Sequence, residues 1–399
     1  WAVSILVLFD ARAMSAEVPK LYSVLAERAL QPEVMEANEK ELYAWAQLLL
    51  GAGKVGDRSS VVAEDKRVKK LFGFAIEQRL PFLLTNTSKV CVAQDVSNAA
   101  LACVYIGYKG NMAPFISAVA SRCGGQKGGV MYDAKPQVWS NLIYACGKLA
   151  DLAGGKVNVL GKDVGVIVGE SAAAMRKAAS PGAPIQPKVQ ELSNTLWGLA
   201  HFKWYDADII RALADAFVQH IKSTPQNVAN VLLALSSLGW YERAVYDELL
   251  WRLVKCPEQP VPQALSNAIY SCAMASHSGA AVNALAGVVS KQSLSGWKEQ
   301  DVGNALYAWS VLSLLGKAYA ELNGMASALF GEANIRSPAA FNKQDLNQLY
   351  TAHMEAERVG LHGGGLGTAT GLQQAAEQFK RYQAGLREEL RARDTAGRK

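Results

Sequence analysis

One phrase recurs along this 399-residue chain and limits what it can fold into. Gln190-Glu-Leu-Ser-Asn194-Thr-Leu-Trp197 is followed by Gln226-Asn-Val-Ala-Asn230, by Gln263-Ala-Leu-Ser-Asn267-Ala-Ile-Tyr270 and by Gln300-Asp-Val-Gly-Asn304-Ala-Leu-Tyr307. Upstream, Gln94-Asp-Val-Ser-Asn98 and Gln137-Val-Trp-Ser-Asn141-Leu-Ile-Tyr144 fit the same frame. From Asn194 to Asn304 the asparagines stand 36, 37 and 37 residues apart; the earlier gaps are 43 and 53. Self-similarity at such a period marks a repeat architecture, in which each unit buries its apolar face only against its neighbours.

Two further copies are weaker. Glu39-Lys-Glu-Leu-Tyr-Ala-Trp45 has Lys40 where Asn is expected, and Gln344-Asp-Leu-Asn347-Gln-Leu-Tyr350 is one residue shorter, which leaves its register ambiguous. Trp1 corresponds to Trp197, so the first unit reads as partial.

Each period predicts two helices. Leu192, Leu196 and Leu199 stand at i, i+4 and i+7, one apolar stripe of a first helix. Pro225 and Pro262 precede their Gln and suit a first helical turn, where no amide donor is missed. Gly239-Trp-Tyr-Glu supplies a stop, and a second helix from Arg243 to Lys255 turns Val245, Leu249 or Leu250, and Leu253 inward. Ile209, Leu213, Phe217 and Ile221 repeat that stripe one unit earlier. The expected fold class is all-α, an α-solenoid of stacked helix-turn-helix repeats with a period of about 37 residues.

The domain reading follows. Residues 1–357 form the solenoid, with about eight repeats; residues 358–371 form a Gly-rich flexible linker; residues 372–399 form a basic C-terminal helix or tail. Inserted loops at Gly124–Gly129, Gly154-Gly155, Ser180–Pro184 and Glu332–Ala340 account for irregular spacing.

The Pro-Gln-x-Leu-Ser-Asn-x-Leu-Trp-x-Leu-Ala phrase, best matched by Val189 to Ala200, Pro225 to Leu235 and Pro262 to Ala273, resembles the octotricopeptide repeat family. The resemblance covers roughly residues 1–357 and is strongest in the four central units. It implies a helical solenoid of the kind abundant in green algae, working in mitochondria or chloroplasts on organellar RNA. Its most specific implication is a subunit of a mitochondrial ribosome that holds ribosomal RNA beside other ribosomal or organellar proteins. The alternatives are a chloroplast factor for maturation or translation of one messenger RNA, and a protein scaffold without RNA contact. Many family members end in a nuclease-like domain, but residues 358–399 lack the strand alternation to build one.

RNA binding needs cations, because phosphate neutralisation supplies much of the affinity. Net charge is +6, unevenly spread. Residues 188–331 hold 10 Lys/Arg and 11 Asp/Glu; residues 54–187 hold 17 and 9; residues 371–399 hold 7 and 4. RNA contact is therefore expected in the irregular N-terminal half and the tail. The candidates are Lys54, Arg58, Lys66, Arg67, Lys69, Lys70 and Arg79, then Arg122 and Lys127 flanking a Gly-rich loop, and Lys380, Arg381, Arg387, Arg391 and Arg393 in the tail. The competing reading of the densest cluster is a solvated helix face, mixed with Glu64, Asp65 and Glu77. The near-neutral centre suits a protein neighbour or lightly charged base contacts.

Asn98, Asn141, Asn194, Asn230, Asn267 and Asn304 sit inside helices, where Asn is less favourable than Ala, so their recurrence asks for a reason. The favoured reading is a hydrogen-bond ladder joining adjacent units; the alternative is amide contact with bases or phosphates. The aromatic set Trp45, Trp197, Tyr144, Tyr270, Tyr307 and Trp309 is expected in the core, with base stacking as the alternative.

Enzymatic chemistry is not legible. None of the five histidines falls in HExxH, and Gly155 to Lys162 lacks phosphate-loop spacing, with Asp163 in place of Ser/Thr. The six cysteines form no CxxC pair and no zinc spacing and read as small buried hydrophobes. No apolar run is long enough for a membrane span. No cofactor, metal or small-molecule substrate is expected.

Overall fold

The computed structural model describes residues 17–31, 42–86, 93–123, 131, 134–220, 222–367, 371–378 and 380. Among these, eighteen helices up to Val359 and a further helical stretch at 372–378 are formed, and no strand. In chain order they are α1 (Glu17–Ala29), α2 (Leu42–Gly56), α3 (Ser60–Glu64), α4 (Lys66–Phe74), α5 (Leu80–Asn86), α6 (Ala93–Tyr105), α7 (Ala113–Cys123), α8 (Pro136–Leu152) and α9 (Val164–Ala179). Then follow α10 (Val189–His201), α11 (Ala207–Gln219), α12 (Pro225–Ser237), α13 (Arg243–Val254), α14 (Pro262–Met274), α15 (Ala280–Ser290), α16 (Glu299–Leu314), α17 (Ala320–Asn334) and α18 (Lys343–Val359). A π-helical turn, Ala75–Arg79, joins α4 to α5.

The helices fall into two compact units, residues 1–217 and 218–399, each an α-solenoid of stacked helix-turn-helix repeats. In the first unit α2, α6, α8 and α10 pack side by side in chain order; α1 lies on α4, α5 on α7, and α7 on α9 as a second layer. In the second unit α12, α14, α16 and α18 form the first layer and α13, α15 and α17 the second. The expected fold class is what the chain adopts.

Local chemistry sets the helix ends. Pro136, Pro225 and Pro262 each open a first-layer helix. Thr224 Oγ1 accepts from the Asn227 amide at 3.3 Å. Glu191, Asp301 and Asp345, each third in its helix, accept from the backbone amide just before the helix, at 2.8, 3.2 and 3.1 Å. Two residues past the end of α6, α12 and α16, Gly107, Gly239 and Gly316 take φ of 66–70°. Lys203 and Ser276 fill the same place after α10 and α14 with φ 52°, although they carry a Cβ.

The apolar stripes bury as the spacing predicts. Leu192, Leu196 and Leu199, Val245, Leu249, Leu250 and Leu253, and Ile209, Leu213 and Phe217 are all buried, each worth about 1.5–3 kcal/mol; Ile221 is outside the described residues. Helices approach closely where glycine allows: a Cβ on Gly53 of α2 would lie 2.7 Å from the Ala102 carbonyl oxygen of α6.

Three expectations change. Helix α17 continues through Asn334, because Leu329, Phe330 and Ala333 keep its inward stripe buried, so the loop expected from Glu332 is shorter. The shortened C-terminal copy has a definite register: α18 starts five residues before Gln348, as α16 starts five before Asn304, so Gln348 holds the Asn place. The Gly-rich segment after α18 is docked where composition predicts a flexible linker. Asn334 accepts from the Gly367 amide at 2.6 Å and donates to the Gly365 carbonyl at 3.0 Å; His353 Nδ1 accepts from the Leu366 amide at 3.1 Å; Ser327 donates to the His362 carbonyl at 2.8 Å. Residues 372–378 are helical, with Leu372 and Ala376 buried; the remainder of the expected tail helix, apart from residue 380, lies outside the described residues, as do Trp1 and Lys40.

Candidate functional site

The repeated phrase generates one continuous stripe per helix. Gln, Asn, the residue three further on and the residue seven further on stand at i, i+4, i+7 and i+11, so all four lie on one side of the helix. On α8 these are Gln137, Asn141, Tyr144 and Lys148, exposed or half-buried, while Val138, Trp139, Leu142, Ile143 and Leu149 around them are buried. On α10 they are Gln190, Asn194, Trp197 and His201; on α14, Gln263, Asn267, Tyr270 and Met274. On these helices the stripe faces solvent; on α6 and α16 its Asn places, Asn98 and Asn304, are buried.

The asparagines divide into three groups. Gln348 Nε2 donates to Asn304 Oδ1 at 2.8 Å, a buried bond between equivalent places on α18 and α16. Asn98 and Asn230 instead accept from the Gln one turn earlier on their own helix, from Gln94 at 3.0 Å and from Gln226 at 2.9 Å. The amides of Asn141, Asn194 and Asn267 make no hydrogen bond to another described residue. The expected ladder is thus present at Asn304, replaced by a bond within the helix at Asn98 and Asn230, and absent at Asn141, Asn194 and Asn267. A second inter-repeat tie comes from a residue that sequence reasoning passed over, the Ser just before Asn: Ser266 Oγ donates to the Asp301 carbonyl at 3.0 Å. The signal was in the phrase, since Ser97, Ser140, Ser193 and Ser266 recur beside apolar residues and all are buried.

The aromatic set divides too. Trp45 and Trp309 are core, with the Trp309 indole donating to Asn323 Oδ1 at 2.9 Å. Tyr144, Trp197, Tyr270 and Tyr307 are half-buried on the stripe, which corrects the core expectation for them. The geometric reason is that the third residue after Asn points with it, away from the second layer. Equivalent rings meet on neighbouring helices: Tyr144 and Trp197 have centroids 5.3 Å apart, Tyr270 and Tyr307 6.1 Å. Lys148 Nζ lies 4.5 Å from the Trp197 ring centroid, and His201 stacks on the same indole at 5.3 Å. Asp151 is 3.8 Å from Lys148 and 3.5 Å from His201. Burial of His201 holds its pKa down, partly offset by Asp151.

The basic candidates are less uniform than their spacing implies. Lys54, Arg58, Lys66, Arg67, Lys69 and Lys70 are exposed. Arg67 is tied to Asp65 at 2.9 Å and to Glu27 at 3.3 Å, and Lys69 to Glu64. Lys54, Arg58, Lys66 and Lys70 have no acidic partner among the described residues. Arg79 corrects the expectation of an exposed cation: it belongs to the π-turn, its Nε and Nη2 are buried without a hydrogen-bond partner among the described residues, and its guanidinium lies 5.7 Å from the Phe82 ring centroid. Arg122 is half-buried, with its Nε shielded. Lys380 is also half-buried and donates to Asn347 Oδ1 at 3.1 Å. Lys127, Arg381, Arg387, Arg391 and Arg393 lie outside the described residues. The structure adds Lys109, which sequence reasoning omitted; it lies in the turn after α6 and comes to the Lys69 end of the α4 cluster.

Burial pushes the thiols of Cys123 and Cys146 up to about 12, and those of Cys103 and Cys272 in the same direction, so none is ionised near neutrality. Among the described residues no cluster of His, Cys, Asp and Glu could hold a metal, and no helix is long and apolar enough to cross a membrane. The stripe offers amides, rings and a few cations on a regular helical spacing. Comparison with protein-family models yields no matching model, and comparison with curated proteins yields no match.

Proposed function

We propose that this protein is an RNA-binding helical-repeat scaffold of the octotricopeptide kind, without catalytic activity. The observation that carries the reading is the first-layer stripe, where amide side chains recur at equivalent places on successive helices and aromatic rings join them on the helix pairs α8 and α10, and α14 and α16. Amides pair with base edges, and aromatic rings offer faces to unstacked bases. The surplus of cations in residues 54–187 favours placing the phosphate contacts in the first unit. The specific role is that of a mitochondrial ribosome subunit holding ribosomal RNA among other ribosomal proteins, with a chloroplast messenger-RNA factor as the alternative; both rest on the family resemblance.

A second reading is a protein scaffold. It is favoured by the stripe of the second unit, which lacks Lys and Arg on α12, α14 and α16 and ends on α14 in the exposed Met274, with the exposed Leu314 and Leu315 at the end of α16. Sequencing the RNA that copurifies with the full chain separates these readings. Abundant ribosomal RNA supports the ribosomal role, a single transcript the messenger-RNA factor, and no RNA the protein scaffold. Changing Lys66, Arg67, Lys69 and Lys70 together to Glu tests the placement, since unaltered RNA affinity and salt dependence would remove this cluster from the interface.

A further inference from the structure

Beside the α4 cluster lies a groove of about 470 Å³ that the function so far leaves unused. One wall is Ala63, Glu64 and Lys69; the other is the turn Ile106 to Gly110, carrying Tyr108 and Lys109. These walls are some forty residues apart in sequence, and hydrogen bonds to a neighbouring element fix the turn. Glu77 projects from the π-turn and accepts from the Tyr108 hydroxyl at 2.7 Å and from the Asn111 amide at 3.1 Å. A Cβ on Gly110 would collide with the Tyr108 hydroxyl at 2.2 Å, so the turn wraps closely on its own ring. Single-turn π-helices are uncommon and gather at functional sites. Here the π-turn aims the Glu77 carboxylate that holds the turn.

The charges at the groove mouth are unbalanced. Lys69 pairs with Glu64, and both Lys69 and Lys109 hold the Glu64 carboxyl below its ordinary range, the Lys69 hydrogen bond most. Lys109 acts on Glu64 only at longer range, with no hydrogen-bonded ion pair among the described residues, and Lys66 and Lys70 extend the same positive edge on α4. Two ammonium groups, one carboxylate and a half-buried phenol ring round an apolar recess make the chemistry of a nucleotide site. The cations meet a phosphate, the ring meets a base, and the carboxylate accepts from a ribose hydroxyl or an exocyclic amine.

We propose that this groove binds one nucleotide, with its phosphate between Lys69 and Lys109 and its base against Tyr108. The nucleotide is either one unit of a bound single-stranded RNA or a free mononucleotide, and the first of these rests on the RNA-binding reading above.

The test uses the full chain, a fluorescein-labelled oligoadenylate, and AMP and adenosine as small probes. Lys109 is exposed in a turn, so Lys109→Glu keeps the fold, which thermal melting verifies; Lys177→Glu, in the last turn of α9, makes the same charge change elsewhere. Lys109→Glu is expected to weaken oligoadenylate about tenfold and to lower the slope of log affinity against log salt by about 0.7, one phosphate contact. Lys177→Glu is expected to change affinity less than about twofold, a general field effect. AMP is expected to compete better than adenosine. Equal losses in the two variants overturn the groove while leaving RNA binding intact. If oligoadenylate does not bind but AMP gives saturation-transfer NMR signals that Lys109→Glu abolishes, the groove is a free-nucleotide site and not part of an RNA path. If neither probe binds, the groove proposal fails, while the RNA reading still stands or falls on the copurifying RNA.

Discussion

Gln348 and Asn304, 44 residues apart, meet through a 2.8 Å hydrogen bond because they hold the same place in two successive repeats. The bond is buried, and Asn304 is 9% exposed. Asn304→Ala strands the Gln348 amide donor without water, which costs about 1–3 kcal/mol. Asn267→Ala removes no hydrogen bond and replaces a poor helix former, so it should be neutral or stabilising by up to about 0.5 kcal/mol. Denaturant unfolding of both variants checks the contrast; equal destabilisation would show that all the asparagines are structural alike.

Lys203 and Ser276 hold a left-handed backbone, φ 52°, at a place where other repeats use glycine. Lys203→Gly and Ser276→Gly should each stabilise the chain by about 1 kcal/mol, relief of the Cβ–carbonyl crowding outweighing the extra freedom of the unfolded glycine. Melting temperatures should rise; a fall in both would mean that side-chain contacts at these turns exceed the backbone strain.

Gly53 sits where α2 and α6 nearly touch. Gly53→Ala puts a methyl 2.7 Å from a backbone oxygen that cannot rotate away, so the helices must separate, at about 1–3 kcal/mol. Gly169→Ala, on α9 with open space around it, is the matched control and should be stabilising. A Gly53→Ala chain as stable as the parent would disprove the close approach.

His277 is completely buried, with Nδ1 3.0 Å from the Tyr241 hydroxyl and Nε2 3.2 Å from Asp247. Burial lowers its pKa below the ordinary 6.5, with Asp247 offsetting part of the shift. The folded chain thus binds fewer protons than the unfolded one near that pH. The stabilisation is complete above pH 6.5 and is lost as pH falls through the lower folded value. Asp95, which burial pushes up to about 6, acts in the opposite sense, losing stability as pH rises through that value. The diagnostic quantity is therefore a difference: between pH 7 and 5, His277→Gln should lose less stability than the parent chain. Parallel pH profiles would exclude a neutral buried His277.

The helical layers were legible because the Gln/Asn period and the leucine stripes depend only on helical geometry and apolar burial. Whether Asn304 faces a neighbouring helix or Asn267 faces solvent was not legible. That depends on the axial offset and closeness of adjacent helices, as at α16 and α18, where a Cβ on Gly303 would lie 3.0 Å from Gln348 Oε1. Lys109 was missed because a turn brings it to Lys69, and no local pattern links the two. The Gly-rich segment reads as flexible by composition, yet Asn334 alone supplies two of the bonds that hold it.

That docked segment also governs how the second unit ends. Leu366, Leu372 and Ala376 are buried, so residues beyond α18 cover apolar surface that a repeat interior would normally give to the next helix pair. A chain cut after Val359 is left with an open end shaped to accept a further repeat, and end-to-end aggregation is the expected fate of such a fragment.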